Sequence, residues 1–476
     1  MAETIKADLC IIGAGSGGLS VAAGAAQLGR KVVLIERHKM GGDCLNYGCV
    51  PSKSLIAAAN RAHAIRRAHE FGVDAGEPEV DFPRVISHVR SVIAAIEPND
   101  SVERFEKLGV RVIKEAGRFT GANEVEAGEH RITAKRYVIA TGSSPLKPPI
   151  PGLDVTPYFT NETIFDNTAL PEHLIVIGGG PIGLELAQAY RRLGARVTVI
   201  EAKQILPKDD PEAVAIVRQS LERDGVVIRE NAAVTAVVKT DGGVAVTISR
   251  NGESEAIAGS HLLLAAGRAA NVEGLGLEAA GVKFSRKGVE VDGGLRTSNP
   301  RVFAIGDVAG GLQFTHVANY HAGLIIRRVL FKLPIRVDTS AVPWATYTDP
   351  ELAHVGLTEA QAREKGVAVG VSRWPLHDND RARAERETHG LAKIVSVKGR
   401  VVGATIVAPH AGELILPWVL AASQRTKMST MAGLVAAYPT LSEISKRAAG
   451  AYFTPTLFSA RTRLVVKLLS WFDGLR

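Results

Sequence analysis

At 476 residues the chain is too long for one ordinary core, and its 46% hydrophobic content can support about three domains. The net charge of +8 comes from scattered Lys and Arg with no like-charge block and no aromatic–basic stripe, which suits anionic small ligands and speaks against nucleic-acid binding. No run of about 18 apolar residues exists, the opening MAETIKADLC lacks a secretory pattern, and three cysteines are too few for a secreted disulfide scaffold, so a soluble cytoplasmic protein is expected.

The first element expected is an apolar strand over 8–12, running into Gly13-x-Gly15-x-x-Gly18. A helix of small residues follows to Leu28, Gly29 ends it, and a second strand over 31–36 closes on Glu36. In this strand–turn–helix–strand context the glycine pattern is a dinucleotide-binding signal. Gly13 permits the turn, Gly15 lets backbone approach a pyrophosphate, and Gly18 lets helix and strand pack closely. The pyrophosphate belongs at the helix N-terminus, and Glu36 at the adenosine ribose.

Next comes GGDCLNYGCVPSK, residues 41–53, with Cys44 and Cys49 five apart. A zinc site needs further good ligands, and no second cysteine pair exists. A structural disulfide here would close a very short loop and stabilise little in a reducing compartment. A redox pair, in which one thiolate attacks and the other resolves, accounts best for the spacing. The third cysteine, Cys10, lies in the first strand among apolar residues and should be an inert buried thiol.

The Ser/Pro-rich stretch 143–152 reads as a linker. Beyond it the first pattern returns, with Gly178, Gly180 and Gly183 and an acidic strand end at Glu201. Glycine and glutamate are 23 residues apart in both copies, and the copies are 165 residues apart. An enzyme that moves a hydride between a nicotinamide and a flavin needs both bound, so FAD and a nicotinamide dinucleotide are expected. Glu201 suits a free 2′-hydroxyl and repels a 2′-phosphate, which points to NADH; Lys203, two residues on, keeps NADPH possible.

These units, together with GGDCLNYGCVPSK, YVIATGSSP (137–145), LLLAAGRAAN (262–271), TSNPRVFAIGDVAG (297–310) and PWATYTDPELAHVGLTEAQA (343–362), resemble the FAD-dependent pyridine nucleotide–disulfide oxidoreductases over nearly the whole chain. Glutathione reductase, dihydrolipoamide dehydrogenase and mercuric reductase are members of that family. The resemblance implies an α/β chain with two Rossmann-like dinucleotide-binding domains and an α+β dimerisation domain. It implies an FAD domain from 1–150 and 271–338, an NAD(P) domain at 151–270, and a homodimer formed through 339–476, each active site taking groups from both subunits. Cys49 would face the flavin and Cys44 would meet the substrate. Lys53 and Glu185 would form an ion pair beside the flavin, and Asp307 would lie at its ribitol. Cofactor contacts are likewise implied at Gly42, Lys53, Gly117, Thr141, Gly142, Thr315 and Gly267.

One departure matters. AAYPTLSEISKRAAG, 436–450, aligns with a stretch that in glutathione reductase and dihydrolipoamide dehydrogenase begins His-Pro-Thr and has a glutamate five residues after the His. Glu443 is in place, but Tyr438 stands at the histidine position. A phenol, with a pKa of about 10, does not shuttle protons near neutral pH as an imidazole does. Loss of such a group typically costs roughly 100- to 10,000-fold. The expected acceptor is a thiol/disulfide-type molecule. A soft metal ion, a dihydrolipoamide dehydrogenase-type substrate, or direct transfer from flavin to a quinone are the alternatives. His316 is a candidate replacement proton donor. The tail 462–476 reads as a helix packed on its own dimer, with an amphipathic membrane-surface anchor as the rival.

Overall fold

The computed structural model describes residues 3–473. The chain divides into two compact units, one made of 1–205 and 225–337 and the other of 206–224 and 338–476.

The first unit holds two parallel sheets. In one, Val110–Ile113, Val32–Ile35, Glu3–Ile12 and His130–Ile139 lie side by side, and Val302–Ala304 adds parallel to the end of His130–Ile139. An antiparallel pair, Gly117–Gly121 and Glu124–Ala127, extends the sheet beyond His130–Ile139. Both faces of the sheet are covered, which is why Val32–Ile35 is buried at every position and reads as a continuous apolar run. The helix Ser16–Gln27 is made of small residues because it packs closely on the helix Thr315–Val329. A Cβ on Gly17 would press on Ile305 and Ala318, and one on Gly24 on Ile326.

The second sheet has the order Val226–Arg229, Arg196–Ile200, His173–Ile177, His261–Leu264, all parallel. The helix Pro181–Arg192 follows its glycine turn, and a meander of three antiparallel strands, 233–240, 243–250 and 253–259, lies beside it in sequence. The Ser/Pro stretch expected as a plain linker begins as a strand: Ser143–Pro145 pairs antiparallel with Arg268–Ala270, so the two chain crossings are hydrogen-bonded to each other.

The second unit is an antiparallel five-stranded sheet, Pro343–Thr346, Glu351–Gly356, Arg400–Ala408, Leu391–Val397, Val369–Pro375, with helices packed on it. Trp418 is fully buried there, and its indole N–H donates to Ser445 Oγ at 2.9 Å. The helix Pro211–Arg223 joins this unit through a buried cation. Lys393 Nζ, 4% exposed, meets Asp210 at 2.8 Å, Glu212 at 2.7 Å and Glu359 at 2.9 Å. Arg373 bridges the same Glu212 and Glu359. Nothing in the local sequence of 206–224 signals this tie, since its partners lie more than a hundred residues on. Among the described residues no helix is long and apolar enough to cross a membrane.

Candidate active site

The two glycine turns are built alike. Gly13 has φ +105°, and a Cβ there would lie 2.4 Å from the Ala140 carbonyl oxygen; Gly178 has φ +117°, with the Ala265 oxygen at 2.3 Å. The third glycines pack on the first, since a Cβ on Gly18 or Gly183 would sit about 2 Å from the carbonyl oxygen of Gly13 or Gly178. The middle glycines differ in the way a ligand requires: Gly15 and Gly180 face open space, with nothing within 4 Å. Each turn thus offers a bare helix N-terminus to an anion.

The acidic strand ends are held in matching fashion. Glu36 accepts from the backbone N–H of Ala14 and of His38, both at 2.7 Å. Glu201 accepts from Gly179 at 2.8 Å and Lys203 at 2.9 Å. A carboxylate oxygen has more than one lone pair, so both groups can still receive ribose hydroxyls.

The cysteines lie at the end of the first turn. Gly42, in the left-handed region at φ +59°, brings backbone against Gly15, where a Cβ would be 2.7 Å from its Cα. Cys44 is half-buried on the short helix Gly42–Asn46, and Cys49 is exposed as the first residue of the helix Cys49–Arg67. Both are free thiols. The Cys44 thiol donates to Cys49, which raises the Cys44 pKa and lowers that of Cys49. Thr315 Oγ1, 3.5 Å from Cys49 Sγ, and the Lys53 ammonium one turn on pull in the same direction, bringing Cys49 to about 6. Cys49 is therefore the thiolate of the pair at neutral pH, and Cys44 keeps the proton.

Lys53 Nζ meets Glu185 Oε2 at 2.7 Å, with the Lys53 side chain 37% exposed and that of Glu185 6%. Glu185 sits on the helix after the second glycine turn, so this pair joins the two nucleotide units. Asp307, at the turn before the helix Thr315–Val329, accepts from Ser143 Oγ at 2.6 Å, and burial raises its carboxyl above the ordinary range. Thr141 Oγ1 donates to the Asn271 carbonyl at 2.8 Å, and Gly142, at φ +69°, faces open space. Gly267, at φ +121°, accepts from Leu146 N–H at 3.0 Å beside the second crossing. Gly117 is the exception among these positions: its Cβ direction is filled by Ile12 and Ile35, so it packs between strands and could meet a ligand through backbone only.

A network that sequence reasoning passed over holds the cysteine loop. Asp43 Oδ1 meets Arg268 at 3.2 Å and accepts from Asn161 Nδ2 at 3.1 Å. Arg268 also donates to the Ser143 hydroxyl at 2.8 Å and to its carbonyl at 2.7 Å. Ser143 in turn reaches Asp307, so the cysteine loop, both crossings and the Asp307 turn are one hydrogen-bonded set. Gly48 belongs to it sterically, because a Cβ there would lie 2.8 Å from Asp43 Oδ2. The available signal was a charge inside each of two otherwise apolar motifs, Asp43 in GGDC and Arg268 in AAGR.

Tyr438 and Glu443 belong to the second unit. Tyr438 is 69% exposed, and its hydroxyl donates to Asp380 Oδ2 at 3.0 Å, which raises its pKa further. Glu443 opens the helix Glu443–Ala451. His316 is exposed next to Thr315, with its ring stacked on Phe314 at 5.2 Å between centroids.

The sequence pattern of the pyridine nucleotide-disulphide oxidoreductases matches residues 7–322, and that of their dimerisation domain matches 342–449. The chain belongs to this family. It is 36% identical over 451 residues to a mercuric reductase of Streptomyces lividans, covering 93% of this chain and 95% of that one. It is 36% identical over 459 residues to a dihydrolipoyl dehydrogenase of Geobacillus stearothermophilus, covering 94% and 96%. A solved structure of similar fold is the Cu(II) complex of the HOCl-induced flavoprotein disulfide reductase RclA from Escherichia coli, with TM-score 0.82 and 28% identity over 91% of this chain and 98% of that one. As a member of this family the protein is an FAD-dependent NAD(P)H disulfide oxidoreductase with a dimerisation domain. The open Gly15 and Gly180 turns and the Glu36 and Glu201 carboxylates fit those two dinucleotides.

Proposed function

We propose that the enzyme takes electrons from NADH and delivers them through Cys49 and Cys44 to a disulfide whose leaving thiol has a low pKa. The observation that carries this reading is the state of Tyr438: exposed, bonded to Asp380 and raised in pKa, it supplies no group that titrates near neutral pH.

FAD, when bound, accepts two electrons from NADH and passes them to the Cys44–Cys49 disulfide. Gly13, Gly15, Gly18 and Glu36 hold it, with Gly42, Thr141, Gly142, Thr315 and Asp307 around it. Gly178, Gly180, Gly183, Glu201 and Gly267 hold the nicotinamide dinucleotide, and Glu201 selects NADH through the ribose hydroxyl. Lys53, kept in place by Glu185, favours negative charge on the flavin side.

Reduction leaves a thiol on Cys44 and a thiolate on Cys49. Cys49 is too weak a base to take the Cys44 proton, so that proton leaves to water as Cys44 attacks. The Cys44 thiolate then attacks one sulfur of the acceptor, forming a mixed disulfide and expelling the other half as a thiolate. Cys49 attacks Cys44 in turn, releases the second thiol and restores the Cys44–Cys49 bond. The sum is NADH, one proton and a disulfide giving NAD+ and two thiols. A leaving group of low pKa departs without an imidazole to protonate it. Each site is completed by the partner subunit of a homodimer, in the cytoplasm.

A soft metal ion is the second reading. Two thiolates bind such an ion, and its reduction has no leaving thiol to protonate. The similarity to mercuric reductases and to a copper-complexed disulfide reductase favours it.

The test is an anaerobic NADH titration followed by turnover with glutathione disulfide, lipoamide, an aromatic low-pKa disulfide, Hg(II), Cu(II) and a quinone. The aromatic disulfide should turn over fastest, and Cys49→Ser should abolish both that turnover and the long-wavelength absorption of the two-electron-reduced enzyme. Equal turnover of lipoamide, or quinone reduction that survives loss of both cysteines, overturns the reading.

A further inference from the structure

The helix Ala460–Asp473 lies beyond the residues that match the dimerisation domain, which end at 449. It is tied to the second unit at its base. Tyr452 and Phe453 pack against the sheet core, and Ser459 Oγ caps the helix by accepting from Thr462 N–H at 3.2 Å. Beyond that point the helix is largely open to solvent: Leu464, Val465, Leu468, Leu469 and Trp471 are all 48–69% exposed. Their spacing of three, four and seven places them on one face, while Arg463, Lys467 and Ser470, with the exposed Val466, line the opposite face. The Phe472 side chain lies outside the described residues.

Charge distinguishes the possible occupants. Between Glu443 and Asp473 the chain carries Lys446, Arg447, Arg461, Arg463 and Lys467 and no carboxylate. A two-fold contact of this segment with its own copy would set these cations against each other, and protein interfaces deplete charge at their core. An apolar face with a tryptophan, bordered by Lys and Arg, matches instead the boundary between acyl chains and anionic headgroups.

We infer that Ala460–Asp473 is a peripheral anchor that lies in the surface of an anionic membrane, apolar face inward, and holds the flavoenzyme there. The helix is too short and too polar to span, so the attachment is reversible. A dimer carries two such helices, and simultaneous contact strengthens binding beyond that of either alone.

The experiment uses the full-length FAD-loaded enzyme, sedimented with vesicles of phosphatidylcholine alone or mixed with phosphatidylglycerol and followed by flavin absorbance. The protein should pellet with the mixed vesicles at low salt, be released by high salt, and pellet poorly with phosphatidylcholine alone. Lys467→Gln should weaken partitioning about five-fold. Leu468→Glu should weaken it roughly ten-fold or more, with NADH reduction of the flavin unchanged in both. Quenching of Trp471 fluorescence by brominated lipid, lost in Trp471→Phe, reads the same contact in the otherwise unaltered chain. Failure to pellet with anionic vesicles, or equal binding to neutral ones, overturns the inference. So does a Leu468→Glu protein that dissociates to monomers while the parent ignores vesicles, an outcome that assigns the face to a second copy.

Discussion

The surroundings of Cys49 and of Tyr438 are opposites. Cys49 stands at a helix N-terminus, flanked by Thr315 and Lys53, on a loop pinned by Asp43, Asn161 and Arg268. Tyr438 lies on an exposed loop with one hydrogen bond, to Asp380. One side has many groups converging to stabilise a thiolate; the other has a side chain held loosely and unable to titrate near neutrality.

Five substitutions probe that contrast. The largest effect should follow Lys53→Met, which leaves the buried Glu185 carboxylate without its cation: NADH-dependent flavin reduction in stopped flow should slow about 100-fold, in line with the loss of one charge-assisted contact of about 3 kcal/mol. Arg268→Met should come next. It leaves Asp43 and Ser143 without their shared donor, and denaturant titration should report about 2 kcal/mol, or roughly 30-fold in the folding equilibrium. Unchanged stability there would show the network to be incidental.

Tyr438→His should raise lipoamide turnover roughly ten-fold by supplying a general acid–base, with stability altered by less than about 0.5 kcal/mol because the site is exposed. Tyr438→Phe should change turnover of a low-pKa disulfide by no more than about two-fold, within the range of one exposed neutral hydrogen bond. A large loss in the phenylalanine variant would mean that the hydroxyl does carry a proton.

The smallest shift concerns pH. A thiol whose folded pKa is depressed is ionised above that value and protonated as pH falls through it. The long-wavelength absorption of the reduced enzyme should therefore persist at neutral pH and fade as pH drops below about 6. Thr315→Val removes a hydrogen bond to the thiolate and should move that midpoint upward by about half a unit, roughly three-fold in the ionisation constant.

Much of this was legible in the residues. The two glycine units, their matching glutamates and the cysteine pair are local patterns, set by short-range sterics and by the few residue types that satisfy them, and the turns fold as their spacing implies. Gly117 was not legible as a packing residue, because only the neighbouring strands reveal Ile12 and Ile35 filling its Cβ direction. Asp43, Asn161 and Arg268 were missed for the same reason: their partners are distant in sequence and converge only when the two crossings pair.

The sequence by itself determined the family and the two dinucleotide turns, and it carries the reading of a redox pair at Cys44 and Cys49 and of Tyr438 at a histidine position, since each depends on residues within one short segment. Tertiary structure added the Thr315 hydroxyl, 266 residues away in sequence and 3.5 Å from Cys49, to the local effects of Cys44 and Lys53 on that thiolate. It likewise decided that helix Pro211–Arg223 joins the second unit, through a lysine buried among carboxylates from two other segments. Burial and long-range charge are properties of the assembled fold, and no local pattern encodes them.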